Sequence, residues 1–166
     1  QYFVSEGMSH QEAELKGVED FAVECSIIKV GASEDIQNCA DEGIQIFGGM
    51  GFSADTPMES AWRDARIGRI YEGTNEINRM LSVGMLLKKG MKGQIDLMAA
   101  VMQAVAELGA NESQKNASGT ILTEEQNLIH NFKQLFLMLT GNAVQKYGTK
   151  LEDHQQVLLS LSDILI

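Results

Sequence analysis

The segment of this chain best suited to acid–base chemistry is Glu72-Gly73-Thr74. Thr74 is a typical N-cap residue for the apolar helical pattern that follows it, so Glu72 should lie just outside a helix N-terminus. The partial positive charge at that end of a helix favours a carboxylate or an oxyanion. Gly73 leaves room for a ligand beside the backbone. The alternative is a surface glutamate that only interacts with the helix dipole, and the local pattern by itself favours that alternative.

A second candidate segment is rich in glycine: residues 45–52 read Gln-Ile-Phe-Gly-Gly-Met-Gly-Phe. Clustered glycines let a ligand approach the backbone and expose N–H groups to anions such as a pyrophosphate. The spacing is not that of the dinucleotide-binding fingerprint, which also needs a preceding strand. Taken alone, the segment is more simply explained as a helix end made of glycines.

Between the glycine-rich segment and Glu72, three arginines follow a three-residue spacing, namely Arg63, Arg66 and Arg69. Ion pairing with acidic neighbours is favoured over substrate binding, the available partners being Asp55, Glu59 and Asp64.

The elements that must position these residues are helices, because the chain has a single proline and few strand signals. Apolar residues recur at helical spacing from Phe21 to Phe47, with either a joint near Gly31 and Ser33 or one long helix. Thr56, before Pro57, predicts the next helix start, with a capping box to Glu59. The helix after Thr74 follows. Residues 5–16 give only a polar start.

The C-terminal part of the chain predicts further helices. One covers Ile95–Leu108, and a polar loop follows over Gly109–Gly119. Thr123 and Gln126 predict a second capping box that opens a long helix. A last helix begins near Glu152. The fold class is therefore all-α, in the form of a helical bundle.

Composition excludes several functional classes. The net charge of −10 argues against a nucleic-acid partner. No apolar run reaches the roughly 20 residues of a transmembrane segment. Cys25 and Cys39 lack a metal-binding or redox spacing, so buried free thiols in a reducing compartment are expected. The histidines lack metal-ligand spacing, so no metal site is predicted; they are His10, His130 and His154.

Together, the two candidate segments resemble the signature of the acyl-CoA dehydrogenase family. That signature is a Q-I-x-G-G-x-G-F/Y stretch, then P-x-E-x-x-x-R-D-x-R, then I-Y/F-E-G-T. This chain has the first stretch at residues 45–52, the second at residues 57–66 and the third at residues 70–74, without a gap. The resemblance extends back to residue 24 and forward to Lys89. From Met91 onwards, the chain more loosely resembles the extra helical region of very-long-chain and related bacterial members.

The resemblance implies a fold and a domain organisation. Residues 1–90 would be the family's C-terminal four-helix-bundle domain, and residues 91–166 would be an additional helical tail packing on it. Because the chain begins with Gln1 rather than Met, we expect an N-terminal truncation. The family's other domains would hold most of the flavin site, so the fragment alone is expected to be inactive.

The resemblance also implies a reaction, the α,β-dehydrogenation of a fatty acyl-CoA to a trans-2-enoyl-CoA. Glu72 would be the base that removes the α-proton, and its backbone N–H would help hold the thioester carbonyl. Tyr71 and Gly73 would line the acyl pocket. The competing hypothesis is a non-catalytic assembly or interaction protein of the same fold.

The implied cofactor is FAD. Gln45, Gly48 and Gly49 would reach the adenosine diphosphate end of an FAD bound mainly by a neighbouring subunit, and Thr74 and Glu76 would also lie near FAD. Glu76 departs from the family pattern, since many members have Gln there. The implied partners are an electron acceptor such as electron-transfer flavoprotein and further copies of the chain in a homodimer or larger oligomer. The implied location is the cytoplasm in bacteria or the mitochondrial matrix in eukaryotes.

Overall fold

The computed structural model of the protein describes residues 2–109 and 121–166. These residues form α-helices and two 3₁₀ helices, and none of them forms a strand. The prediction of an all-α bundle with additional C-terminal helices is confirmed. The α-helices are α1 (Tyr2–Ser5), α2 (His10–Asp20), α3 (Ala22–Phe47), α4 (Pro57–Gly68), α5 (Asn75–Met91), α6 (Leu97–Gly109), α7 (Thr123–Tyr147) and α8 (Gln155–Leu165), and the 3₁₀ helices are Gly48–Phe52 and Gly148–Asp153.

The chain divides into two compact units, Gln1–Ser82 and Val83–Ile166, and the division falls inside α5. Both candidate segments belong to the first unit. The second unit contains the rest of α5 and the helices of the tail.

Helix α2 was not predicted, although the sequence carries its start signal. The Ser9 backbone N–H donates to the Glu12 carboxylate at 3.1 Å, and the Glu12 N–H donates to the Ser9 hydroxyl at 3.3 Å. This is a complete capping box, which satisfies two N–H groups that a helix start would otherwise leave without partners. The Ser9 hydroxyl also donates to the Glu12 carboxylate at 2.7 Å, and this bond, followed by that of the Ser9 backbone N–H, lowers the pKa of Glu12. The polar composition of residues 5–16 concealed this helix.

Helix α3 is continuous from Ala22 to Phe47, so the alternative with a joint near Gly31 is wrong. Its buried positions recur at helical spacing, which gives one inward face: Val23, Ser26, Val30, Gln37 and Ala40. The Ser33 hydroxyl donates to the Val30 carbonyl at 3.0 Å, so its proton has an acceptor within the same helix.

Helix α4 runs antiparallel to α3. Its first turn places the Met58 side chain against Gly43, and one turn later the Trp62 indole N–H donates to Asp41. At its end, Gly68 lies beside Ser33, where an added Cβ would be 4.0 Å from the Ser33 Cβ. The chain therefore leaves α4 next to the N-terminal half of α3.

Two predicted helix caps are wrong in detail. The Thr56 hydroxyl makes no cap bond and instead donates to the Met50 carbonyl at 2.7 Å. Helix α7 begins at Thr123 itself, and its N-cap is Leu122, which has φ 70° and no side-chain cap bond. In both cases a threonine in the right place in sequence has a different local geometry.

The predicted burial of the two thiols is also wrong: Cys25 and Cys39 are both free and exposed. They lie on the exposed side of α3. The prediction was wrong because the spacing of apolar residues did not distinguish the buried face of this helix from the exposed one. No group of three metal-binding side chains occurs within residues 2–109 and 121–166.

The second unit contains three closely packed helices. Gly141 of α7 faces Val101 of α6, where an added Cβ would lie 2.5 Å from a Val101 methyl. Phe136, Leu158 and Leu161 are buried between α7 and α8. The predicted loop at residues 109–119 lies almost entirely outside the described residues. No described helix is long and apolar enough to cross a membrane.

Candidate active site

The connection between α4 and α5 contains the candidate base in an unusual backbone conformation. Glu72 has φ 53° and Gly73 has φ 82°, so two consecutive residues are left-handed. This conformation suits glycine, whereas for glutamate it costs on the order of 1 kcal/mol or more. Among residues 2–109 and 121–166, Leu122 is the only other non-glycine residue with positive φ. Such a conformation persists only where neighbouring groups hold it.

Two side-chain donors hold this turn through the Gly73 carbonyl. The Lys29 ammonium of α3 donates to it at 2.8 Å, and the Asn78 amide of α5 donates to it at 2.9 Å. The same Asn78 amide nitrogen lies 3.2 Å from the Thr74 carbonyl and 3.5 Å from the Glu72 carbonyl. The backbone also closes on itself, because the Asn75 N–H donates to the Arg69 carbonyl at 3.1 Å.

Asn75, the first residue of α5, connects the turn to α3 from a buried position, with only 1% of its surface exposed. Its side-chain oxygen accepts from Lys29 at 2.7 Å and lies 3.2 Å from the Ser33 hydroxyl oxygen. Its amide nitrogen lies 2.9 Å from the Ser33 hydroxyl and 3.2 Å from the Glu34 carboxylate. A buried amide with all its polar atoms satisfied fixes the position of the helix start.

Glu34 continues this network towards two arginines. Both oxygens of its carboxylate accept from the Arg79 guanidinium at 2.8 Å, and Arg69 lies 3.7 Å away. The Arg79 hydrogen bonds, followed by that of Asn75, lower the pKa of Glu34. A two-bond pair of this kind fixes orientation as well as distance. It anchors α5 on α3 one turn beyond the candidate site.

Thr74 caps α5, as the sequence predicted: its hydroxyl accepts from the Ile77 N–H at 3.3 Å. Glu76 lies in the first turn and is exposed. Its own backbone N–H and then the Thr74 hydroxyl lower the pKa of Glu76. The carboxylate at this position is therefore stabilised locally by the helix start, without the donor that a glutamine would offer.

The surface beside Glu72 is apolar but open in this chain. Glu72 itself is exposed, and the two preceding residues, Ile70 and Tyr71, expose 48% and 56% of their surface. Exposed apolar side chains next to a carboxylate are suited to an apolar ligand. The burial that a strong carboxylate base needs is not provided by the described residues.

The glycine segment lies at the C-terminal end of α3, whereas the α4–α5 turn contacts that helix at Lys29 and Ser33. Gly48 has φ 61° and Gly51 packs so closely that an added Cβ would be 2.7 Å from the Ile44 carbonyl, so the fold itself requires these two glycines. Gly49 differs, because its φ is not positive and an added Cβ would find nothing within 4 Å. The fold gives no reason for glycine at position 49. Gln45, Gly48 and Gly49 are all exposed.

The structure does not bring the two candidate segments together. Ser33 contacts the α5 start, whereas Gln45 lies twelve residues further along the same continuous helix. At 1.5 Å per residue this separates them by about 18 Å. The first group, at the α4–α5 turn, contains the predicted residues Tyr71, Glu72, Gly73, Thr74 and Glu76. The second group, at the C-terminal end of α3, contains Gln45, Gly48 and Gly49.

Comparison with known families decides what these segments belong to. A family model described as "Acyl-CoA dehydrogenase, C-terminal domain" matches residues 1–86, and a second model with the same description matches residues 131–166. The chain belongs to the acyl-CoA dehydrogenase family. Both candidate segments lie within the first match, and α8 with most of α7 lies within the second.

Individual members of the acyl-CoA dehydrogenase family agree with this. A probable acyl-CoA dehydrogenase of Bacillus subtilis (strain 168) is 37% identical over 163 residues, which is 98% of this chain and 27% of that protein. The human mitochondrial short-chain specific enzyme is 46% identical over 68 residues, covering 41% of this chain and 16% of its own length. The chain thus spans about a quarter or less of these relatives.

A solved acyl-CoA dehydrogenase has the same fold. The crystal structure of a Bacillus anthracis member of the family, complexed with FAD, aligns with a TM-score of 0.82 at 41% identity. The alignment covers 87% of this chain and 24% of that one. The all-helical, two-unit chain therefore has the architecture of part of an acyl-CoA dehydrogenase.

The acyl-CoA dehydrogenase signature did not identify the residues that hold the turn, namely Lys29, Asn75 and Asn78, with Ser33, Glu34 and Arg79 behind them. A signal was present, because Lys29 and Ser33 are four residues apart and Asn75, Asn78 and Arg79 follow at three- and four-residue spacing. The spacing gives α3 and α5 one polar face each, and two such faces on helices before and after the Glu72 motif predict a contact between these helices. The expected ion pairing of arginines is seen for Arg63 with Glu59, at 3.2 Å, whereas Arg69 contacts Glu34 instead of the nearby acidic residues.

Proposed function

We propose that the complete protein is an FAD-dependent acyl-CoA dehydrogenase that converts a fatty acyl-CoA to a trans-2-enoyl-CoA, with Glu72 as the α-proton base. Family membership supports the reaction class. The observation that carries the role of Glu72 is its left-handed conformation at the start of α5, held through Gly73 by Lys29 and Asn78. A surface glutamate that only interacts with a helix dipole needs no such support.

The proposed role of Glu72 is to accept the proton on the α-carbon while its backbone N–H donates to the thioester carbonyl. That hydrogen bond stabilises the negative charge that develops on the oxygen and makes the α-proton more acidic. The chemistry that bound FAD supplies is acceptance of the hydride from the β-carbon, so that proton and hydride leave as one C–C double bond forms. Tyr71 and Gly73 line the acyl chain's path in this proposal.

A carboxylate needs a dry environment to act as a base near neutral pH, because desolvation raises its pKa towards the working pH. Glu72 is exposed in this chain. The proposal therefore requires the rest of the protein, together with substrate and flavin, to cover it. The exposed Tyr71 and Ile70 supply an apolar surface on which such a cover can pack.

The residues proposed to contact FAD fit that role in two places. Around Gly49 the backbone is open, since an added Cβ would meet nothing, and a ligand can come close. Thr74 and Glu76 stand at the start of α5, beside the base. Because Gln45, Gly48 and Gly49 are about 18 Å away along α3, we propose that they contact the adenosine diphosphate end of an FAD bound mainly by a neighbouring subunit. The proposal includes a homo-oligomer and an electron acceptor such as electron-transfer flavoprotein.

The test compares Glu72→Gln with Glu24→Gln in the complete protein. Glutamine keeps the size of the side chain but cannot accept the proton, so we expect acyl-CoA oxidation to fall by about 10²–10⁴-fold. Glu24 is an exposed glutamate of α3, and its variant should keep the activity of the parent. Flavin content and acyl-CoA-dependent reduction of an artificial electron acceptor are the measurements.

Two outcomes would overturn the proposal. Full activity in Glu72→Gln would remove Glu72 as the base. No acyl-CoA oxidation in the FAD-loaded parent, over a range of acyl chain lengths, would favour a non-catalytic assembly protein of the same fold.

A further inference from the structure

The Lys29 side chain joins the two sides of the candidate site. It lies on α3, far from Glu72 in sequence, and its ammonium donates to the Gly73 carbonyl at 2.8 Å and to the Asn75 side chain at 2.7 Å. One acceptor belongs to the left-handed turn and the other to the first residue of α5. A single cation thus fixes the turn relative to the helix start.

Asn78, which follows the turn in sequence whereas Lys29 precedes it, donates to the same carbonyl. Its amide lies 2.9 Å from the Gly73 carbonyl and within reach of the carbonyls on either side. The Gly73 oxygen therefore has two donors, one from α3 and one from α5. Together they restrain this carbonyl, which belongs to the peptide group between Gly73 and Thr74. Because each peptide group is planar, a rotation of that group is passed on through the two backbone dihedrals of Gly73 to the peptide group between Glu72 and Gly73.

The attachment of α5 to α3 does not depend on Lys29. The Glu34–Arg79 pair and the Asn75–Ser33 hydrogen bonds connect the same two helices. Loss of the Lys29 ammonium should therefore leave the helices in place while removing one of the two donors that hold the turn. Relaxation of the turn would rotate both the side chain and the N–H of Glu72.

We propose that Lys29 is a positioning residue for the dehydrogenation, acting through the Gly73 carbonyl together with Asn78; the inference rests on the function proposed above. Lys29 contacts neither substrate nor flavin in this proposal. It holds the Glu72 backbone in the orientation in which the carboxylate can accept the proton of the α-carbon and the N–H can donate to the thioester carbonyl. Small errors in such orientation are costly, since a displacement of about 1 Å can reduce a rate about 100-fold.

The experiment measures kcat, KM for acyl-CoA, flavin content and Tm of the complete FAD-loaded protein. The central variant is Lys29→Met, which keeps the aliphatic stem and removes the donor. Its matched control is Lys16→Met, because Lys16 makes a hydrogen bond of the same length, 2.8 Å, to Asp20 within α2 and does not contact the turn. We expect Lys29→Met to lower kcat by about 10- to 100-fold, with KM, flavin content and Tm close to those of Lys16→Met.

Two further variants separate positioning from general packing. Lys29→Arg keeps a cationic donor at the end of a long aliphatic stem, so it can again donate to the Gly73 carbonyl and should recover part of the kcat that Lys29→Met loses. Asn78→Ala removes the second donor to the same oxygen. Because both side chains act through one carbonyl, the Lys29→Met/Asn78→Ala double variant should lose less than the product of the two single losses in kcat.

The outcomes distinguish this inference from the proposed function. If Glu72→Gln is inactive while Lys29→Met has the kcat of Lys16→Met, the positioning role is wrong and the base assignment stands. If Glu72→Gln is fully active, both are wrong. Should Lys29→Met fail to fold or lose its flavin, Lys29→Arg and Asn78→Ala decide: a kcat equal to the control in Asn78→Ala, or no recovery in a folded Lys29→Arg, overturns the inference.

Discussion

At the scale of single residues, the candidate site depends on backbone conformation as much as on side-chain type. Glu72 occupies a conformation that L-residues rarely adopt, and Gly73 follows it with φ 82°. The cost at Glu72 is offset by hydrogen bonds to the neighbouring carbonyls. Glycine at position 73 is required on two grounds, because its φ is positive and an added Cβ would lie 2.9 Å from the Asn78 amide.

Gly73→Ala should therefore lower the free energy of unfolding of the flavin-free complete protein by about 1–2 kcal/mol. Urea denaturation measures this change. Gly49→Ala is the matched control: its φ is not positive and the space around it is open, so the change should stay within about 0.5 kcal/mol. Equal losses in the two variants would contradict the structural distinction between these glycines.

At the scale of elements, the site is built from two helices and the turn between α4 and α5. Helix α3 presents Lys29, Ser33 and Glu34 along one face, and α5 presents Asn75 and Arg79 to it. Helix α4 determines where the turn starts, since its last residue lies beside Ser33. The polar contacts specify one register of α5 against α3, which apolar packing alone would leave less defined.

The Glu34–Arg79 pair should make a measurable contribution to stability, because both side chains are largely buried, at 26% and 18% exposure. Glu34→Gln should lower the free energy of unfolding at neutral pH by about 1–3 kcal/mol, since the two hydrogen bonds from Arg79 then no longer end on a charged carboxylate. Urea denaturation of the complete protein measures this. Glu59→Gln is the control, because Glu59 pairs with the 73% exposed Arg63 and should cost at most about 0.5 kcal/mol.

The same pair predicts a pH dependence. The Arg79 hydrogen bonds lower the pKa of Glu34 in the folded protein. The ionised carboxylate therefore stabilises the fold fully above the ordinary glutamate pKa, and this contribution is lost as the pH falls through the lower folded value. The stability gap between the parent and Glu34→Gln should narrow in acid. A gap that widens as the pH falls would show that the sign of the shift is wrong.

At the scale of the whole molecule, the chain corresponds to about a quarter of the length of its relatives, 27% of the Bacillus subtilis protein and 24% of the Bacillus anthracis structure. The two predicted groups of site residues are separated by about 18 Å along α3. The candidate base is exposed. We propose that residues 1–90 act as the family's C-terminal domain and that residues 91–166 form its helical tail.

The 166-residue chain alone should consequently be inactive. It leaves Glu72 without the burial that its proposed role needs, and in our proposal it holds only part of the flavin site. Flavin content and acyl-CoA oxidation of the isolated chain, measured beside the complete protein, provide the test. Turnover at the rate of the complete protein would show that the described residues already contain everything that the reaction needs.

The sequence by itself determined the helical class, the family, the cap at Thr74 and the position of the candidate base, because these depend on local spacing and on a motif that is contiguous in the chain. It left open whether α3 is continuous, and it missed α2 because polar composition concealed a Ser9–Glu12 capping box. Only the tertiary structure showed that Lys29 reaches Gly73 across 44 positions of sequence and that the glycine segment is separated from the candidate base. Such contacts depend on how α3, α4 and α5 pack, and helical spacing gives the faces of a helix without giving its neighbours.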